Sequence, residues 1–404
     1  MSESESLPLP LAGLKILEMG QLLAGPFAST LLAWFGAEVI KIEPPGKGDA
    51  LRAWRGLHDG TSLWWATMAR NKKSITLNLR EPKGQQIARS LAANVDVVLE
   101  NFKPGTLEKW GLGHDVLEAD NPGLIMVRVS GWGQTGPRSA EPGYASVAEG
   151  VGGLRYVTGY PDRPPVRSNL SLGDTIAGLH AALGLLTALY HREHAGEGKG
   201  QVVDVAIYEA VFNMMESALP ELDLLGELRE RQGSKLSGIV PSNTYECADG
   251  KFIIIGGNGD SIFKRLMRAA GRDDLASDSR LEQNDGRVRH EEEIDRALSE
   301  WTSSHTFTEV LESLDNAHVP AGPIYSMEDI VKDEHFEARE MFETVRLRDG
   351  TQVKLPNLIP KLTESPGRTR WIGPELGAHN HEIYQGLLGM GSDELDELRR
   401  DGII

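Results

Sequence analysis

Residues 14–42, LKILEMGQLLAGPFASTLLAWFGAEVIKI, decide the fold. The run 14–19 (LKILEM) is short and apolar, and 20–26 (GQLLAGP) breaks it. Residues 27–35 (FASTLLAWF) have helical spacing, Gly36 ends them, and 37–42 (AEVIKI) read as a second strand. Strand, helix and strand in so short a span make a βαβ unit, so a parallel sheet is expected. The rhythm returns downstream: a helix over 84–93, a strand over 96–100 (DVVLE), a short helix over 107–110 and a strand over 124–129 (LIMVRV). The expected class is α/β, with a large, open, doubly wound, Rossmann-like domain over residues 1–220.

Further outward, 131–153 is rich in Gly, Pro and Ser and reads as a long functional loop. A strand over 201–206 and a helix over 207–219 close the first domain, and the polar stretch 221–238 reads as a linker. A smaller α+β domain is expected over 239–326, with strands at 242–247 and 252–255 and helices at 262–270, 291–302 and 308–316. Residues 327–404 carry Pro356, Pro360 and Pro366 and a short helix near Leu395. Such a segment is expected to return to the large domain or to lie on a partner subunit.

The 404 residues exceed one ordinary core, which agrees with two domains. A net charge of −17 offers no phosphate-neutralising surplus, so a nucleic-acid partner is not expected. The single cysteine, Cys247, rules out an intrachain disulfide and fits a reducing cytoplasm. The start, MSESESLPLP, has neither the basic nor the apolar region of a secretory signal, and its first residues are expected to be disordered. No run reads as long and uncharged enough for a membrane span.

For chemistry, Asp174 stands out in 171–178, SLGDTIAG. The apolar stretch 179–190 (LHAALGLLTALY) behind it reads as a buried helix, which puts this carboxylate near a helix start. By itself that is the position of an ordinary capping or first-turn acid. Gly20 and Gly25 lack the spacing of a dinucleotide fingerprint, and neither a P-loop nor a G-x-S-x-G elbow occurs. His191 and His194 are three residues apart without a zincin pattern, so no metal site is expected. Asn71-Lys72-Lys73-Ser74, read beside Asn101-Phe102-Lys103 and Lys109, suit a phosphorylated nucleotide, with an aromatic ring for the base.

Taken together, the segments LAGPFAST, FGAEVIKIEPPGKGD, ARNKKSITLNLREPKG, VVLENFKPGTLEKWGLG, VSGWGQTGP, SLGDTIAGLHAALGLLTAL and GKGQVVDVAIYEAV resemble the class III CoA-transferases. This superfamily of carnitine-type and formyl-CoA transferases also includes the α-methylacyl-CoA racemases. The resemblance implies Asp174 as covalent nucleophile, with Lys72, Asn101, Phe102 and Lys109 at CoA-binding positions. It also implies an interlocked homodimer. Where the family often has arginine after Lys-Ile-Glu, this chain has Pro44-Pro45. Gly238 and the run 256–259 (GGNG) are the nearest matches to the family's mobile glycine loop. The racemases pair the aspartate with a histidine in a His-Asp-Ile-Asn-Tyr motif. Here Tyr144 and Ala145 replace its first two residues, and a tyrosine is a poor base for that proton transfer, so transferase is favoured.

The run SGIVPSNTY…FIIIGGNGDSIFKRL resembles the dicarboxylate-handling branch of the family, which implies transfer of CoA from an acyl-CoA, with succinyl-CoA as donor, to a small dicarboxylic acid. The acyl-CoA is a substrate, and no cofactor is expected. Gln21, Leu22, Leu23 and Ala24 are read as the turn that stabilises the oxyanion. Arg52, Arg138 and especially Arg167, seven residues before Asp174, are candidates for the second carboxylate. A racemase and a catalytically silent CoA-binding subunit are the competing readings. Tyr144 weighs against the first and Asp174 against the second.

Overall fold

A computed structural model describes residues 9–404, so the expectation of disorder at the extreme N-terminus falls on 1–8, outside the described residues. The strands β1 (Lys15–Glu18), β2 (Glu38–Glu43), β3 (Lys72–Thr76), β4 (Val97–Glu100), β5 (Ile125–Ser130) and β6 (Val202–Ala206) form one parallel sheet. Its order is β3-β2-β1-β4-β5-β6. The chain builds outward from β1 to β3, then crosses back to place β4 on the other side of β1, which is the doubly wound topology.

Side-chain alternation explains why helices cover both faces. Ile16, Val39 and Val97 point into one core, with Ala28 and Leu32 of α1 (Ala24–Trp34) and Ala181 and Leu185 of α5 (Leu172–His194). Their neighbours Leu17, Ile40 and Val98 point into the other, with Ile87 and Leu91 of α2 (Pro82–Ala92) and Leu117 of α3 (His114–Asp120). Successive strand residues face opposite ways, so a strand covered on both sides carries apolar residues on both, as Ile16-Leu17, Val39-Ile40 and Val97-Val98 do.

The helix α5 differs from its expected form. It begins at Leu172, seven residues before the apolar run, and it is buried on one side only. Ala177, Ala181, Leu185 and Ala188 are buried, whereas Leu179, Leu183, Leu186 and Tyr190 form an exposed apolar stripe at helical spacing. Small alanines let this helix lie close to α1, and the larger residues are left on the far side. Contrary to the sequence reading, α5 is long and apolar enough, by length and composition, to cross a membrane. Its alanine face is packed into the core beside the sheet.

Contacts divide the chain into two units at other boundaries than those expected. Among the described residues, one comprises those up to 154, 168–216 and 340–404, and the other 155–167 and 217–339. The stretch read as a linker, 221–238, lies wholly in the second unit and begins within the helix Ala218–Leu225. The helix expected over 207–219 is therefore two, since α6 (Ile207–Asn213) stops before it. The helix α4 (Ala145–Val151) precedes α5 in the first unit.

The second unit holds a three-stranded antiparallel sheet of β7 (Ser242–Glu246), β8 (Phe252–Gly256) and β9 (Ala321–Pro323) in the order β9-β8-β7. Residues 340–404 belong to the first unit. They include a hairpin of β10 (Phe342–Arg346) and β11 (Gln352–Pro356).

Candidate active site

Ligands of doubly wound sheets bind beyond the carboxyl ends of the strands, where the strand order reverses. Here that point lies between β1 and β4, and the residues leaving them are Met19-Gly20-Gln21 and Asn101-Phe102. A Cβ on Gly20 would stand 2.7 Å from Asn101 Oδ1, so glycine is what lets Asn101 reach the turn. Asn101 Oδ1 accepts from the Gln21 N–H and Asn101 Nδ2 donates to the Gln21 carbonyl, both at 2.8 Å. The next amide, Leu22 N–H, donates to the Asp49 carboxylate at 3.1 Å. Leu22 has φ 65, a left-handed conformation that costs a bulky residue on the order of 1–2 kcal/mol.

Beneath this turn lies a buried cluster of charges. Lys41 Nζ is 2.6 Å from Glu18, 2.8 Å from Asp49 and 2.9 Å from the Gly20 carbonyl. Lys72 Nζ donates to Glu18 at 2.7 Å and to the Pro26 carbonyl at 2.8 Å. Ser29 Oγ also donates to Glu18. Burial opposes charge on Glu18 and Asp49, yet Lys41, joined at Glu18 by Lys72, holds both carboxyls below their ordinary range. Burial opposes charge on Lys41 as well, but Asp49, Glu18 and Glu43 hold its ammonium above its ordinary range. Burial, against the pull of Glu18, brings Lys72 down to about 8.

A depressed carboxylate pKa contributes stability that is present above the unfolded value, about 4, and lost as pH falls through the folded value. Thermal unfolding followed from pH 7 to pH 3 is expected to fall steeply below about pH 4. In Glu18→Gln the descent should be shallower, and an unchanged slope would remove Glu18 as its source.

These findings correct two expectations. Lys72 has 1% of its surface exposed and both its hydrogen bonds are internal, so it is a structural ammonium rather than a ligand contact. Asn71, from the same run, holds the C-terminal segment: its Oδ1 accepts from Arg370 N–H at 2.6 Å and its Nδ2 donates to the Arg368 carbonyl. The amides of Gln21 and Leu22 are taken by Asn101 and Asp49, so neither points to a substrate oxygen.

Arg52 is likewise committed. It donates to both oxygens of Glu43 at 2.7 and 2.8 Å, donates to the Pro374 carbonyl, and stacks 3.8 Å over Trp65. A second carboxylate would have to displace Glu43.

Phe102 sits in a turn fixed by Glu100, whose Oε2 accepts from Phe102 N–H while Oε1 takes Arg128 Nε, both at 2.7 Å. Its ring meets Trp110 edge-on at 5.3 Å. A cavity of about 890 Å³ opens here, bordered by Gln21, Lys47, Arg80, Phe102, Lys103 and Trp110. A smaller one of about 230 Å³ lies across Asn101–Pro104, against Ser130–Trp132 and Tyr144. Lys109 is exposed. Tyr144 is exposed and precedes α4, and Arg138 stacks 3.5 Å over Trp132 and pairs with Glu141. Arg167 belongs to the second unit.

Asp174 is half-buried in the first turn of α5. A Cβ on Gly178, one turn later on the same helix face, would stand 2.8 Å from the Ala24 carbonyl. The face that carries Asp174 is thus pressed against the beginning of α1. The sequence reading missed Glu149, a buried acid of α4 whose Oε1 accepts from Gly173 N–H at 3.2 Å. It satisfies a free amide of α5 immediately before Asp174. Its only sequence signal is a carboxylate inside an otherwise small-residue helix, ASVAEGV.

The model of CoA-transferase family III matches residues 11–380. The succinyl-CoA–D-citramalate CoA-transferase of Chloroflexus aurantiacus is 48% identical over 99% of this chain and 100% of its own. The beta subunit of the succinyl-CoA–L-malate CoA-transferase of the same organism is 41% identical over 98% of each chain. A solved CaiB/BaiF family protein from Brucella suis superposes with a TM-score of 0.80 at 33% identity, covering 94% of this chain and 100% of that one. The chain belongs to CoA-transferase family III and is a CoA-transferase.

Proposed function

We propose that this enzyme transfers CoA from succinyl-CoA to a small dicarboxylic acid of the citramalate or malate type, through covalent intermediates on Asp174. The observation that carries the reading is the place of Asp174. It is a half-buried carboxylate on the face of α5 that abuts the first βα turn, beside the reversal point of the sheet. The activities of the Chloroflexus relatives support the choice of donor and acceptor class.

In this scheme the Asp174 carboxylate attacks the thioester carbonyl. The C–S bond breaks, leaving an aspartyl–succinyl anhydride and CoA thiolate. The thiolate attacks the aspartyl carbonyl, forming an aspartyl-CoA thioester and releasing succinate. The acceptor carboxylate then attacks that thioester, giving a second anhydride and thiolate. Attack of the thiolate on the acceptor carbonyl yields the new acyl-CoA and restores Asp174. Each step exchanges one activated acyl bond for another, so thioester energy is conserved by covalent catalysis. The Leu23 and Ala24 amides are the proposed oxyanion donors.

The cavity bordered by Phe102 and Trp110 is the proposed nucleotide pocket, with ring faces for the base and Lys47, Arg80 and Lys103 for phosphates. The exposed Lys109, at the end of the short helix Thr106–Lys109, is a further proposed phosphate contact. The exposed stripe of Leu179, Leu183, Leu186 and Tyr190 is proposed to be covered by a second copy of the chain in a homodimer. The buried, free Cys247 suits the proposed cytoplasmic location.

Mass spectrometry of CoA thioesters tests the reading directly. The enzyme is mixed with succinyl-CoA and malate, citramalate, itaconate, mesaconate, glutarate, oxalate, formate or carnitine. A new thioester with a C4–C6 dicarboxylate, and none with formate or carnitine, is expected. Exchange confined to oxalate or formate would overturn the proposed acceptor class.

A further inference from the structure

We propose that Asp49, locked by Lys41, is a positioning residue for the transfer: it holds Leu22 in its left-handed conformation and so sets the Gln21–Ala24 turn against Asp174. The inference rests on Asp174 as nucleophile.

The turn between β1 and α1 is held almost entirely by side chains. Asn101 grips both backbone polar groups of Gln21, Asp49 takes the amide of Leu22, and Lys41 and Lys72 take the carbonyls of Gly20 and Pro26. A leucine does not choose φ 65 unaided, and local backbone strain of this kind persists only where surrounding groups impose it. Asp49 is the group that imposes it. Its side chain is 1% exposed, and its position is set by Lys41 at 2.8 Å and by the Leu51 amide at 2.9 Å.

The consequence falls on Leu23 and Ala24. With the amides of Gln21 and Leu22 occupied, the direction of the next two N–H groups depends on the backbone angles at Leu22. The start of α1 faces Asp174 through the Gly178 contact, so a rotation at Leu22 moves those donors relative to the reacting carbonyl. A misplacement of about 1 Å is enough to lower a rate about a hundredfold. Asp49 spends its carboxylate on Lys41 and on the Leu22 and Leu51 amides. Its effect runs through the backbone.

The test uses the full-length enzyme in three variants: Asp49→Ala, Leu22→Gly, and the two combined. Asp49→Ala is expected to lower kcat by about tenfold to a hundredfold, with KM for succinyl-CoA changed less than about threefold. Glycine adopts positive φ without penalty, so the double variant should recover at least about fivefold of the lost kcat. Circular dichroism and thermal unfolding identify any variant that does not fold. If Asp49→Ala itself fails to fold, Lys41→Met and its combination with Leu22→Gly replace it, with the same expected split and rescue.

Unchanged kcat in folded Asp49→Ala overturns the proposal, as does a loss that Leu22→Gly does not relieve. Asp174→Ala, assayed in parallel, reports on the nucleophile alone. An inactive Asp174→Ala beside a fully active Asp49→Ala sinks only the positioning role. An active Asp174→Ala sinks the covalent scheme, while the kcat loss and its rescue still decide whether Asp49 positions the turn.

Discussion

Replacing Asp174 by alanine is expected to abolish CoA exchange, by at least about a thousandfold, while leaving the fold intact. The side chain is half-buried and lies in the first turn of α5, two residues after the helix begins. An acid at this point also interacts favourably with the free amides of the helix start, so stability alone cannot separate a nucleophile from a first-turn acid. Asparagine can separate them. Its side-chain oxygen keeps a hydrogen-bond acceptor at the helix start, yet an amide does not form the anhydride. Asp174→Asn should therefore melt close to the unaltered enzyme and be as inactive as Asp174→Ala. Incubation with succinyl-CoA should leave a hydroxylamine-sensitive adduct on the peptide containing residue 174, absent from both variants. Full activity in Asp174→Asn would end the covalent scheme.

Replacing Lys72 by methionine is expected to cost stability rather than CoA affinity. Lys72 and Glu18 form a buried pair at 2.7 Å, and Lys41 takes the other Glu18 oxygen. Breaking a buried ion pair by removing one partner typically costs about 3–5 kcal/mol, because the other charge stays behind without full compensation. The Pro26 carbonyl at the start of α1 loses its donor as well. Lys72→Met should thus lower the denaturant midpoint markedly, and Lys72→Met with Glu18→Gln should restore part of it. Whatever fraction remains folded should keep its KM for succinyl-CoA within about threefold. A KM raised tenfold or more with unchanged stability would return Lys72 to the CoA site.

Several features were legible from residues alone because they are local. The βαβ rhythm of 14–42 follows from apolar runs broken at Gly20 and Gly36, and the strands and helix appear within a few residues of their expected bounds. Asn101-Phe102 and Gln21 were marked from separate segments, and the sheet brings them together at its reversal point. What escaped was what depends on burial. Lys72, Arg52 and Asn71 look in sequence like solvated cations and a turn. Each instead spends its polar groups inside the protein, on Glu18, on Glu43 and on the C-terminal segment. Glu149 sits 24 residues from the amide it satisfies, and Asp49 27 residues from Leu22, so no local pattern points to either.

The sequence by itself determined the class of sheet, the family and the candidate nucleophile. These rest on periodicity and on short motifs whose meaning does not require knowing what lies opposite. Only the tertiary structure decided which side of α5 is buried, where the two units divide and which charged residues are structural. It also decided which amides of the first turn are already taken. A charge in water and the same charge beneath a sheet have the same letter in the sequence. Their difference is the desolvation that a partner must offset, and the partner is found only when distant strands are placed side by side.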